Sequence, residues 1–131
     1  MWMNWKKPLT NITIATMSAT LYHNPRCSKS RATLALLQTR GVDLDVVFYL
    51  DTPPSCEQLR KLIAMLNMSP RQLMRTGEKE YREQGLDDPK LGDDELIAAL
   101  HKFPKLMERP ILVMNGKARI GRPPESVIEI L

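Results

Sequence analysis

Cys27 sits in the one stretch of this chain whose residue types and spacing point to reaction chemistry: Tyr22-His23-Asn24-Pro25-Arg26-Cys27-Ser28-Lys29-Ser30-Arg31. A short apolar lead-in, Ala19-Thr20-Leu21-Tyr22, runs into Asn24-Pro25, which reads as a turn because the residue before proline is pushed out of the helical region. The run Arg31 to Leu37 beyond the cysteine is a good helix former. Cys27 is therefore expected where a strand ends and a helix begins. Helix N-termini present unpaired N–H groups and a partial positive charge, which favour a thiolate and can hold an oxyanion. Arg26, Lys29 and Arg31 add cations, and His23 lies four positions upstream. The effect is large in general. A thiol of pKa about 8.5 is only about 3% thiolate at pH 7, and one of pKa about 6 is about 90% thiolate. A cysteine closed inside an apolar core is instead inert. Cys56 opens a second expected helix without basic neighbours and reads as structural.

The bulk properties narrow the function classes. At 131 residues the chain is expected to hold one core. A net charge of +4 suits a small anionic substrate, but no lysine-arginine run reaches five residues and aromatics make up only 5%, which argues against a nucleic-acid partner. Two cysteines make no disulfide framework and point to a reducing compartment, hence a cytoplasmic location. No run of 18 apolar residues exists to span a membrane, and the two histidines and two cysteines have no zinc-ligand spacing. Neither a metal nor a bound cofactor is expected. Residues 1–17 are expected to be a loose N-terminal extension before a single domain at 18–131, the alternative being an extra edge strand at Asn11 to Thr16. No signal-peptide pattern is found among them.

The elements that must carry Cys27 follow from periodicity and punctuation. A strand is expected over Thr20 to His23 and a helix over Ser28 to Arg40, stopped by Gly41, with Leu34, Ala35 and Leu37 facing inward. Leu44 to Leu50 is rich in β-branched and aromatic residues and reads as a second strand. Ser55 is a natural N-cap for a helix over Cys56 to Leu66, with Leu59, Leu62, Ile63 and Leu66 on one face. A helical crossover implies that the two strands are parallel. About residues 68–103 read as a helical insert: a helix with Pro70 at its first position, a short charged helix over Glu78 to Gln84, and Glu95 to Lys102 capped by Asp93 or Asp94. Ile111 to Met114 and Lys117 to Ile120 flank Asn115-Gly116, a strong hairpin signal, and a last helix is expected over Glu125 to Leu131. This order is similar to the thioredoxin-like fold: α/β, a four-stranded mixed sheet built as β-α-β then β-β-α. In such folds the proline before the third strand is commonly cis, which here is Pro110.

The Cys27 stretch also resembles the active-site segment of the glutaredoxin-coupled arsenate reductases, the ArsC-like family. So do Tyr49 to Pro54, Leu73-Met74-Arg75, Glu108-Arg109-Pro110-Ile111 and Gly121-Arg122-Pro123-Pro124-Glu125. The resemblance runs from about residue 19 to residue 131. Lys105 to Pro110 and Gly116 to Pro124 are most similar to its YfgD-type branch. After the cysteine, Ser28-Lys29-Ser30 stands where the well-studied resistance enzymes have Gly-Thr-Ser.

The resemblance implies a mechanism and a set of partners. Cys27 falls on the nucleophile, and Arg75, Arg109 and Arg122 fall on the oxyanion-binding arginines. Guanidinium suits a divalent oxyanion because it is permanently charged and binds in a bidentate manner. His23 falls on a histidine that helps the thiolate form; a strand-end histidine bonded to backbone is the other reading of it. Arg31 either braces the loop or is an exposed helix cation. The implied substrate is arsenate or another oxyanion, with glutathione as co-substrate and glutaredoxin as protein partner. The other class this fold admits is an Spx-type regulatory module. Its redox switch generally needs Cys-x-x-Cys, and position 30 is Ser. The phosphatase-like loop Cys-x-x-x-x-x-Arg is excluded too, because Thr33 stands six positions after Cys27.

Overall fold

The computed structural model describes residues 18–131, so the expectations for residues 1–17 lie outside the described part of the chain. Strand β1 (Ser18–His23) leads through the Asn24-Pro25 turn into helix α1 (Ser28–Thr39), and strand β2 (Asp43–Phe48) returns alongside β1. Helix α2 (Cys56–Leu66) follows. A 3-10 turn (Arg71–Leu73), helix α3 (Lys79–Glu83), helix α4 (Asp93–Lys102) and a second 3-10 turn (Pro104–Leu106) then lead to strands β3 (Ile111–Met114) and β4 (Lys117–Ile120). The chain closes with a 3-10 segment, Pro124–Ile130.

The sheet order is β2-β1-β3-β4. β1 and β2 are parallel with His23 opposite Phe48, and β3 is antiparallel to both β1 and β4. This is the thioredoxin-like arrangement. Parallel pairing of β1 and β2 requires the α1 crossover, so both strands end at the same edge of the sheet. That edge carries the Cys27 loop after β1 and Tyr49 after β2. Asn115 and Gly116 both take positive φ, 55° and 74°, as a tight two-residue hairpin turn requires. The Arg109–Pro110 bond is cis, as expected. The Arg122–Pro123 bond is cis as well, which the sequence did not signal.

Side-chain alternation along the strands sorts the core into two layers. Leu21, Leu112 and Met114 pack with Leu37 of α1 and with Val127 and Ile130 of the closing segment. Tyr49, Ile111 and Ala118 face Leu59 and Leu62 of α2, Leu96 and Leu100 of α4, and Leu73, Leu106 and Met107. Ser55 caps α2 with a reciprocal pair of bonds: Gln58 N–H donates to Ser55 Oγ at 3.1 Å, and Ser55 N–H donates to Gln58 Oε1 at 2.8 Å.

Four elements depart from expectation. The inward face of α1 is Ser30, Thr33 and Leu37, with Leu34 half-buried and Ala35 exposed. Small polar residues are favoured there because Thr33 of α1 meets Gly121 at very close range, and Gly121 in turn lies against Pro110. A Cβ on Gly121 would lie 2.5 Å from Thr33 Oγ1 and 2.8 Å from Pro110 Cγ. The helix expected from Pro70 to Arg75 shrinks to the 3-10 turn, because Met74 turns extended to bridge Met107. α4 starts at Asp93 with Gly92 as its N-cap, and Glu95 Oε1 accepts the Gly92 N–H at 3.1 Å. The last segment is 3-10 rather than α-helical.

Candidate active site

Cys27 is the N-cap residue of α1, with extended backbone (φ −101°, ψ 123°). Its N–H donates to Asn24 O at 3.0 Å, closing the turn, and Asn24 Oδ1 accepts the Arg26 N–H at 3.0 Å. Arg31 is exposed, but its Nη1 donates to Pro25 O at 2.8 Å, so it braces the loop from α1. The sulfur makes no formal capping hydrogen bond, yet the backbone N–H groups of Ser30 and Lys29 face it from the first turn. Partial burial pushes the thiol up. Those two amides and the Arg109 guanidinium outweigh it, and the net pKa lies below the ordinary thiol value.

Residues distant in sequence complete the site. Arg122 reaches the sulfur, Nη2 to Sγ, at 3.7 Å, a long contact, so Arg109 is the guanidinium that mainly lowers the thiol pKa. Arg122 Nε donates to Arg109 O at 2.8 Å, which ties the two arginine-bearing segments together. Arg75 enters through the Met74–Met107 bridge. Its N–H donates to Leu106 O at 2.6 Å, and Glu108 N–H donates to Leu73 O at 2.8 Å.

Glu108, not singled out from the sequence, links two of the arginines. Its Oε1 accepts from Arg75 Nη1 at 3.2 Å and lies 3.6 Å from Arg122 Nε. Glu78 lies 3.5 Å from Arg75 Nε as a second counter-ion. These partners hold the guanidinium groups, which lose little further entropy on meeting a ligand. The signal available in the sequence was only that Glu108 precedes Arg109.

His23 takes neither of its expected forms in full. The residue is 3% exposed, and its Nδ1 lies 2.6 Å from Ser30 Oγ, a side-chain partner rather than backbone. Burial first, and the charge of Arg31 second, hold its pKa below the ordinary histidine value, so the ring is neutral at neutral pH. A neutral ring adds no cation beside the thiolate. Its route to Cys27 runs through Ser30, whose Oγ also accepts the Asn24 N–H at 3.0 Å and whose own amide faces the sulfur.

Four buried side-chain polar atoms among the described residues lack a hydrogen-bond partner, and three surround this site: Arg75 Nε, Arg109 Nε and Tyr49 Oη. Arg75 Nε still faces the Glu78 carboxylate, which leaves Arg109 Nε and Tyr49 Oη as donors without a counterpart, and buried polar groups are nearly always paired. A thiol whose ionisation is favoured at a helix mouth, with guanidinium groups near it, has the chemistry to act as a nucleophile toward an anion. Among the described residues no cluster of His, Cys, Asp and Glu could hold a metal, both cysteines are free, and no helix is long and apolar enough to cross a membrane.

Fold and site together define a thioredoxin-like protein with one cysteine at a helix mouth and arginines from distant segments beside it. The ArsC family model matches residues 22–130, and the chain belongs to that family. It is 56% identical over 117 residues to the uncharacterised protein YfgD of Escherichia coli K12, covering 88% of this chain and 98% of that one. It is 48% identical over 112 residues to a Neisseria meningitidis protein named arsenate reductase, covering 85% and 96%. Among solved structures, an arsenate reductase from Vibrio cholerae superposes with a TM-score of 0.86 at 53% identity, covering 88% of this chain and 99% of the other.

Proposed function

We propose that this protein is an arsenate reductase that uses Cys27 as nucleophile and glutathione as co-substrate, with glutaredoxin closing the cycle in the cytoplasm. The observation that carries the reading is the Cys27 sulfur facing helix N–H groups and Arg109, with Arg122 at 3.7 Å. The names of the family relatives support arsenate as the oxyanion.

The steps follow from the groups present. Arg75, Arg109 and Arg122 hold the oxyanion beside the sulfur. The Cys27 thiolate attacks arsenic, an S–As bond forms, and one arsenic oxygen leaves as water after protonation. Fixed cations stabilise the charge that builds on the remaining oxygens more than they stabilise the ground state. The glutathione thiol then supplies the second sulfur. The Cys27–glutathione disulfide forms, each sulfur gives up one electron, arsenic(V) becomes arsenic(III), and arsenite leaves. Glutaredoxin reduces the mixed disulfide. One protein thiol is enough, which agrees with Ser30 rather than a second cysteine in the first turn of α1. His23 acts as a positioning residue, holding Ser30 so that its amide faces the sulfur.

The test is NADPH consumption coupled through glutathione and glutaredoxin with arsenate, comparing wild type with Cys27→Ser. Arsenate-dependent turnover in wild type and none in the variant is expected. Equal rates would remove the catalytic assignment of Cys27.

A further inference from the structure

Tyr49 is the largest fully buried side chain among the described residues, and its hydroxyl is not used in the scheme above. It follows the last residue of β2 and so stands at the sheet edge from which the Cys27 loop departs. Its ring packs in the same layer as Met74, Leu106, Met107 and Ile111. Those residues flank Arg75 on one side and Arg109-Pro110 on the other. The hydroxyl lies within electrostatic reach of Arg109, Asn24, Cys27 and Arg75, which come from three separate segments. Asn24 is its polar neighbour, yet no protein atom meets Oη at hydrogen-bonding geometry.

We propose that the Tyr49 hydroxyl donates a hydrogen bond to an oxygen of the bound tetrahedral oxyanion, completing the cradle formed by Arg75, Arg109 and Arg122. This rests on the oxyanion reading of the site and names the group that reading leaves out. A phenylalanine would fill the same apolar slot without an unpaired polar atom, so the fold has no evident use for the oxygen. The hydroxyl stays protonated throughout the physiological range. Burial pushes its pKa up to about 12, with Arg109, the Asn24 side chain and Arg75 opposing that and the Cys27 charge adding to it. A neutral donor is useful here: it binds an anion without adding a cation that the fold must neutralise. Its bond strengthens as negative charge accumulates on the oxygen it meets, which makes it a catalytic contact as well as a binding one.

The experiment uses sulfate, an inert tetrahedral dianion, as the probe. Its protection of Cys27 against iodoacetamide is measured for wild type and Tyr49→Phe, together with the thermal midpoint and the sulfate-free pH profile of alkylation. In Tyr49→Phe the half-protecting sulfate concentration should rise about tenfold, equivalent to about 1.4 kcal/mol. The thermal midpoint should stay level or rise, and the alkylation midpoint should not move. An unchanged half-protecting concentration would overturn the proposal. So would a lower thermal midpoint or a raised alkylation midpoint, either of which would give the hydroxyl to the fold or to the thiolate. No protection in wild type would overturn the cradle itself. Protection without arsenate turnover would leave Tyr49 in place and remove only arsenate as the substrate.

Discussion

The ease with which the Cys27 thiol ionises is set by a contest between burial and three favourable neighbours. Burial raises the thiol pKa, the Ser30 and Lys29 amides and Arg109 lower it, and the neighbours win. Cys27 is an acid whose folded pKa is depressed. Its ionisation therefore contributes stability above the ordinary thiol pKa, and that contribution is lost as pH falls through the folded value. The rate of alkylation against pH should have a midpoint below that of free cysteine. Arg109→Gln should move the midpoint upward and slow alkylation severalfold at pH 7; an unmoved midpoint would remove Arg109 from the account. His23 shifts stability in the same direction, although there it is the neutral form that the fold favours. It is a base with a depressed folded pKa, so the unfolded chain takes up the proton first. The stability linked to it is present above about pH 6.5 and declines as pH falls from there toward the folded value. The thermal midpoint of wild type should fall in that window. The fall should be shallower in His23→Asn, and equal slopes would show that other groups govern the acid limb.

At the scale of elements, the site depends on how closely α1 sits on Gly121, the residue that follows β4. Ser30 and Thr33 are fully buried, and Gly121 leaves Thr33 no room for a neighbouring side chain. Gly121→Ala should destabilise the protein by about 1–3 kcal/mol through overpacking. Thr33→Ala in the same background should recover part of the loss, since the Oγ1 contact is removed while the Pro110 contact remains. Gly77→Ala, with no atom within 4 Å of its added Cβ, is the control. A denaturant titration of wild type, Gly121→Ala, Thr33→Ala and the double variant, with Gly77→Ala alongside, measures the coupling between positions 33 and 121. Additive effects would mean that the two segments do not bear on each other. This contact also explains why the inward face of α1 was misread. Apolar periodicity favours Leu34 and Ala35, whereas the space available under α1 favours small side chains with internally satisfied hydroxyls. Thr33 Oγ1 indeed donates to Lys29 O at 2.8 Å. The strands, the Ser55 cap and the Asn115-Gly116 turn were legible because their signals are local. The Met74–Met107 bridge was not, because it pairs residues far apart in the chain and converts an expected helix into extended backbone.

At the scale of the molecule, one sheet gathers five segments around one sulfur. The β1–α1 loop brings the thiol, β2 ends in Tyr49, the bridge at Met74 brings Arg75, and the two ends of the β3–β4 hairpin bring Arg109 and Arg122. The sequence made Cys27 and the arginines visible through their motifs. It did not reveal Glu108 as the shared counter-ion or Tyr49 as an unpaired donor, since both roles exist only once the segments meet. The account turns on Cys27 being the sulfur that gives electrons to arsenic, with Cys56, at the start of α2, playing no part. The most direct measurement omits glutaredoxin, so that the last protein-bound species accumulates. The protein is incubated with glutathione, with and without arsenate, and the cysteine-containing peptides are examined by mass spectrometry. The account predicts a glutathione mixed disulfide on the Cys27 peptide that forms only with arsenate and matches the arsenite released. Modification of Cys56 instead, or the same Cys27 modification without arsenate, would contradict it.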